Sequence, residues 1–208
     1  MKKTLIALLA LAGIAAAGTE ETITLQPAPQ TACTLKPEFG IEYLYGHSDC
    51  SDEMDTQGIR ASIGTTLNTN SAFSHTFSLN LGYDWGDKAD IVKGNSANLE
   101  ENKTTITLGY DLNYALTDKV TLYVGAKAGY ATGEIEFSRP ARNFAVKDDL
   151  EGFTYSVGGG VKYQITENVH LKAGYEFNRS YLGHFGPNKE ENYIPCLHVF
   201  SVGVGYKF

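Results

Sequence analysis

The residues of this chain best suited to chemistry are charged side chains that interrupt otherwise apolar stretches: Glu42, Arg60, Asp111, Lys127, Lys162, Lys172 and Glu176. Each sits in a run where every second residue is apolar, and each falls on the opposite, polar face. Acids and bases confined to one narrow interior must pair, because an unpaired buried charge costs several kcal/mol. Such a set is either a closed core of structural ion pairs or a gate whose opening admits small ions. A second group, Asp49, Asp52, Glu53 and Asp55, offers oxygen ligands to a hard cation, but its spacing fits no EF-hand loop. It reads as a solvated acidic loop, and no metal is expected. His75 and His198 lie on the apolar face without a serine two residues away. With no Gly-x-Ser-x-Gly turn, paired carboxylates or zinc-ligand spacing, neither an enzyme nor a cofactor is expected.

The elements that must position these charges are strands. From residue 39 to residue 208 the alternation has period two, repeats eight times and never gives way to a helical period. The first strand sets Phe39, Ile41, Tyr43 and Tyr45 against Gly40, Glu42 and Leu44. The fourth sets Ile106, Leu108, Tyr110, Leu112 and Tyr114 against Thr107, Gly109, Asp111 and Asn113. Short links near residues 68–71, 117–119 and 166–168 alternate with long ones over 47–55, 86–101, 134–151 and 180–195. The composition is that of one domain: 208 residues, 42% hydrophobic and 20% charged, with 17 basic against 24 acidic residues and a net charge of -7. An acidic chain repels phosphate backbones, which argues against nucleic acid as a partner.

Which face points inward decides the environment. In a soluble barrel or sandwich the aromatic-rich face would fill the core. Eight such bulky faces would overfill so small a barrel. Tyrosines and phenylalanines recur near strand ends, as an interfacial girdle requires, and lysines, acids and glycines suit a tight polar lumen. The faces are therefore expected to be inverted, apolar towards lipid and polar towards the lumen, with short turns in the periplasm and long loops outside.

The N-terminus fits that destination. Met1, Lys2 and Lys3 precede an apolar stretch over residues 4–17 that ends in three alanines, the form of a cleaved signal peptide and too short for a comfortable spanning helix. Residues 1–17 are thus expected to be the signal peptide, 18–35 a short periplasmic segment and 36–208 the barrel. Export permits disulfides. Cys50, in the first long loop, and Cys196, at the outer start of the last strand, approach when first and last strands close the barrel. Cys33 lies about 30 Å below them, at roughly 3.3 Å per residue. A Cys50 to Cys196 bridge is expected, with Cys33 an idle thiol.

At the C-terminus, Phe208 closes a face continued by Tyr206, Val204, Val202 and Phe200, and an apolar-Gly-Tyr element recurs as Leu81-Gly82-Tyr83, Leu108-Gly109-Tyr110, Ala128-Gly129-Tyr130, Ala173-Gly174-Tyr175 and Val204-Gly205-Tyr206. On these residues, over about 36 to 208, the chain resembles the small eight-stranded outer-membrane barrels of the OmpA-like, OmpX-like and opacity-protein group. The resemblance implies an all-β, eight-stranded antiparallel up-and-down transmembrane β-barrel in a Gram-negative outer membrane. It also implies that Phe200, Val202, Val204, Tyr206 and Phe208 form the signal read by the barrel assembly machinery. The barrel is expected to be a monomer among outer-membrane lipid and lipopolysaccharide, without the wall-binding domain that follows the barrel of full-length OmpA. Its expected role is structural or interactive, adhesion or recognition of an extracellular ligand through its loops, with Phe137, Phe144, Tyr181, Phe185 and Tyr193 as contacts. A narrow porin-like channel gated by the lumen ion pairs is the alternative; a lipid-facing, lipid A-modifying enzyme ranks third.

Overall fold

The computed structural model describes residues 34–48, 54–69, 72–88, 98–139, 144–184, 192–193 and 196–208. The strands are β1 (Thr34–Ser48), β2 (Asp55–Asn68), β3 (Phe73–Lys88), β4 (Asn98–Ala115), β5 (Val120–Arg139), β6 (Phe144–Gln164), β7 (Val169–His184), β8 (Asn192–Tyr193) and β9 (Cys196–Lys207). Neighbours in sequence pair antiparallel from β1 to β7, and β9 closes the circle by pairing with both β7 and β1. The two residues of β8 only add to the edge of β7. The wall is therefore a closed eight-stranded, up-and-down barrel, the architecture that the eight alternating runs predict. The expected signal peptide lies outside the described residues, as do Cys33, Cys50, Asp49, Asp52, Glu53 and Phe185.

Register sets the tilt. Following paired residues once round the wall, from Lys36 through Thr66, Thr76, Asp111, Gly125, Gly158, Glu176 and Val199, leads back to β1 at Gly46, ten residues beyond the start. A closed sheet with that stagger tilts its strands by roughly 40° to the barrel axis.

The faces are inverted relative to a soluble protein. Outward-facing Leu108 is 71% exposed and Val124 61%, whereas inward-facing Glu42, Asp111, Lys127, Lys162 and Glu176 are buried. Apolar groups outside and charges inside are stable only with hydrocarbon around the barrel. On β5 the outward series Leu122, Val124, Ala126, Ala128 and Tyr130 gives way to Thr132, Glu134 and Glu136, so the lipid-compatible stretch is nine residues long. That is the length a tilted strand needs to cross a bilayer core. Aromatic pairs mark its borders: Phe73 with Tyr114 (5.1 Å) and Tyr206 with Phe208 (4.9 Å) at the short-turn end, Tyr83 with Trp85 (5.8 Å) at the other.

Beyond this band the strands continue. The β5–β6 ladder runs out to the pairing of Arg139 with Phe144, and β4 follows it as far as Asn98 opposite Ser138. This corrects the expected loop positions: Phe137 belongs to β5, Phe144 to β6, Tyr181 to β7 and Tyr193 to β8. The reason is physical. Beyond the hydrocarbon the outward positions turn polar, as at Thr132, Glu134 and Glu136, while inside Ile135 packs against the buried Ala131, Leu150 and Leu182, so the apolar outward face is lost while the hydrogen-bonded ladder carries on.

Candidate functional site

The lumen charges stand across from glycines. Glu42 pairs in register with Gly203, Asp111 with Gly125, Lys127 with Gly109, Glu176 with Gly158 and His170 with Gly205. A Cβ at Gly125 would collide with the Asp111 carboxylate, one at Gly203 with the Glu42 side chain and one at Gly205 with the His170 ring. Lumen glycines thus supply the space that cross-strand side chains occupy in a narrow interior; of the repeated apolar-Gly-Tyr elements, Gly109 stands across from Lys127 and Gly205 across from His170.

Arg60 is the hub. Its Nη1 and Nη2 donate to Glu176 Oε1 and Oε2 at 2.8 and 3.1 Å, a bidentate clasp, and Nη1 also donates to Glu42 Oε2 at 3.2 Å. Lys127 Nζ donates to the same Glu176 carboxylate, and Ser156 Oγ adds a bond of 3.3 Å to Oε2. Lys172 Nζ lies 2.8 Å from Glu42 Oε1 and 3.8 Å from Asp111 Oδ2. The structure thus brings Glu42, Arg60, Asp111, Lys127, Lys172 and Glu176 into one ion-pair network. Lys162 stands apart from it, with its ammonium 5.5 Å from the centroid of the Tyr123 ring; that of Lys172 lies 4.7 Å from the same centroid.

Further lumen residues join the arrangement that the sequence reading did not single out. Lys103 pairs with Asp84 at 3.7 Å, and Glu38 with His170 at 3.3 Å. Thr66 Oγ1 donates to Glu38 Oε2 at 3.0 Å. Tyr123 fills the space left by Gly160 and Gly174. Cross-strand glycines are the signal for such residues, and they become readable only once the register is known. Towards the long-loop end, Leu44, Leu197 and Val199 form an apolar cluster. The space between them and the network is a cavity of about 30 Å³, lined in part by Arg60, Lys127, Leu44 and Val199. It has room for a couple of water molecules at most.

The other predicted residues occupy different parts of the wall. Phe200, Val202, Val204, Tyr206 and Phe208 all present exposed side chains to the lipid side. Tyr181 is exposed, with the Arg179 guanidinium 5.3 Å from its ring centroid. Cys196 is buried and disulfide-bonded, and its partner lies outside the described residues. Ser48 pairs with Leu197, so β1 ends beside Cys196, while Thr34, next to Cys33 in sequence, pairs with Asn68 at the opposite end. On the outward face His75 Nδ1 lies 2.8 Å from Tyr110 Oη and His198 Nδ1 2.5 Å from Tyr175 Oη. At the outer rim, His47 Nδ1 lies 2.8 Å from Asp55 Oδ1, and this hydrogen bond holds the Asp55 carboxyl below its ordinary pKa.

Curated protein sequences give no match to this chain. Among solved structures it is similar to Ail, the attachment invasion locus protein of Yersinia pestis, with 14% identity, 84% of this chain and 97% of that one covered, and a TM-score of 0.48. It is also similar to the N-terminal β-barrel domain of Pseudomonas aeruginosa OprF (20% identity, 82% and 97% covered, TM-score 0.43). The outer membrane enzyme PagL is a third (14% identity, 81% and 98% covered, TM-score 0.47). Identities this low carry no activity across. The family model described as the outer membrane protein beta-barrel domain matches residues 5–208, nearly the whole chain, and the protein belongs to that family.

Proposed function

We propose that this outer-membrane barrel acts at the cell surface: it contributes to membrane integrity and engages an extracellular partner through its loops and the raised part of its sheet. One contrast carries the reading. The lumen is cross-tied by ion pairs, with a cavity of only about 30 Å³ beside Arg60, while β5 and β6 continue well past the lipid-compatible band to Arg139 and Phe144. The raised part combines exposed apolar and charged groups suited to a protein or glycan partner, among them Val146, Tyr181 and the Lys147–Glu134 pair at 2.7 Å. Phe137, Phe144, Phe185 and Tyr193 belong to the same outer end by sequence. In this reading a cleaved signal peptide exports the chain and the C-terminal face from Phe200 to Phe208 presents it to the barrel assembly machinery. The barrel then works as a monomer, in contact with lipopolysaccharide.

The test pairs a surface assay with an electrical one. Cells displaying the protein should adhere to a partner surface more strongly than cells whose barrel carries Val146→Ser, Tyr181→Ser and Phe185→Ser, and planar bilayers holding the purified barrel should stay silent. Stable channel events altered by Arg60→Ala would replace this reading with a gated pore. A change in lipid A mass on expression would replace it with a lipid-modifying enzyme.

A further inference from the structure

The lipid-facing wall is charged unevenly around its outer border. On β4 to β6 the outward residues above the lipid band include Glu100, Glu134, Glu136, Asp149 and Glu151, with Lys147 tied to Glu134. On β7 the apolar outward series Val169, Leu171, Ala173, Tyr175 and Phe177 fills nine residues, the span found on β5, and the next outward residue is Arg179. Among the described residues no carboxylate pairs with this guanidinium. Its register partners are Tyr155 on β6 and Cys196 on β9, and Glu151 stands opposite Gly183, four residues further along β7. Arg179 lies against the Tyr181 ring, and its Nε is enclosed without an acceptor, so its Nη edge is what it offers to its surroundings. A planar fork of donors at the edge of hydrocarbon is suited to an anion with paired oxygens, a phosphate above all.

The wall beside Arg179 narrows the class of anion. The Tyr155 and Tyr181 rings stack with centroids 6.3 Å apart and planes 21° apart, and Phe153 lies 6.2 Å from Tyr155. The guanidinium thus borders an aromatic platform of the kind that sits at headgroup level. Nearby, the small side chains of Ala126 and Ala128 leave an open trough of about 390 Å³ between Leu108 and Tyr110 on one side and Tyr155 and Val157 on the other. Ala128 stands across from Tyr155 and Tyr155 across from Arg179, so trough and guanidinium are two strands, about 10 Å, apart. The stagger of the sheet carries β7 outward relative to β5 along a row, which sets the trough deeper in the lipid than Arg179. A cation at the border and an apolar trough below it match the two ends of one amphiphile, whereas a free anion would use only the first. The carboxylates of β4 to β6 repel the same phosphate and confine it to the β6–β7 side.

Resting on the reading of the chain as an outer-membrane barrel in contact with lipopolysaccharide, we propose that the β5–β7 side of the wall binds one phosphate-bearing acylated lipid of the outer leaflet. Its phosphate accepts from the Arg179 Nη edge and one acyl chain lies in the trough over Ala126 and Ala128.

The test is native mass spectrometry of the folded barrel, released from a maltoside detergent after titration with diphosphoryl lipid A. One retained lipid A per barrel is expected. Arg179→Gln should weaken retention about ten-fold, as loss of a charge-assisted hydrogen bond does, and Arg179→Lys should recover part of it. Ala128→Phe, which fills the trough, should also weaken it, while Lys119→Gln, which removes an exposed cation at the short-turn end, should leave it unchanged. Lipid A stripped of its phosphates should bind the unsubstituted barrel about ten-fold more weakly; that comparison needs no variant and decides the matter if Arg179→Gln does not fold. Heat-modifiable gel mobility establishes folding: an unsubstituted chain without it would overturn the membrane reading itself, whereas a folded barrel that retains no lipid A overturns this site alone. Retention that survives Arg179→Gln, or that ignores removal of the phosphates, would overturn the proposal. Competition by inorganic phosphate as strong as that of lipid A would also overturn it, in favour of a free-anion site.

Discussion

The inner and outer faces of the wall are built from alternate residues of the same strands, yet they depend on their neighbours in opposite ways. On β5, Lys127 is buried and tied to Glu176 on β7, while Ala126 and Ala128 on either side of it face outward and need only suit hydrocarbon. Inner residues hold each other, so their substitutions are coupled. Outer residues outside the aromatic and histidine pairs, such as Leu108 and Val124, answer to the lipid separately, so their substitutions should add.

The largest break in that comparison is expected from Glu176→Ala. It strips Lys127 of its carboxylate and leaves Arg60 with Glu42 alone, and should destabilise the folded barrel by about 3–5 kcal/mol in reversible urea unfolding from lipid vesicles. Adding Arg60→Ala to it should cost far less than the sum of the two single changes, and strict additivity would show that the network is not a unit. On the outer face, Leu108→Arg places a charge towards the middle of the lipid band and should cost about 2–4 kcal/mol, while Leu108→Val changes little. Gly125→Val sits between the faces: it crowds the Asp111 carboxylate and should cost about 1–3 kcal/mol, partly recovered by Asp111→Ser.

The smallest effect belongs to the rim. The carboxyl of Asp55 titrates below its usual value because of the hydrogen bond with His47. A lowered pKa stabilises the fold above the unfolded value, and that contribution is lost as the pH falls through the folded one. Refolding below about pH 4 should therefore lose at most about 1 kcal/mol from this exposed pair relative to neutral pH, and Asp55→Asn should not show that loss.

The barrel was legible in the sequence because lipid and lumen impose opposite demands on successive residues, which period two records directly. The outer parts of β5 and β6 were not, because Glu134, Glu136, Lys147 and Asp149 put charge on the outward face that lipid keeps apolar lower down, and the apolar residues there, Ile135 and Leu150, face inward instead. The charged lumen set could be named from parity alone. Its pairing could not: the stagger of ten residues between Lys36 and Gly46 changes which residues stand at one height, so Lys172, and not Lys127, meets Glu42. Lys162 belongs by parity with the central set, but only its surroundings, a ring on one side and an open mouth on the other, separate it from the rest.

The bond between Arg60 and Glu176 joins residues 116 positions apart, on β2 and β7. Between those strands the wall holds β1 and β9, the first to be made and the last. An unclosed sheet can form every other ladder and still leave this pair facing water on opposite margins. Docking of β9 is thus the event that brings Arg60 and Glu176 together. Chains ending before Cys196 lack the strand that joins β7 to β1, so they should not bring Arg60 and Glu176 together, and their heat-modifiable gel mobility should be lost.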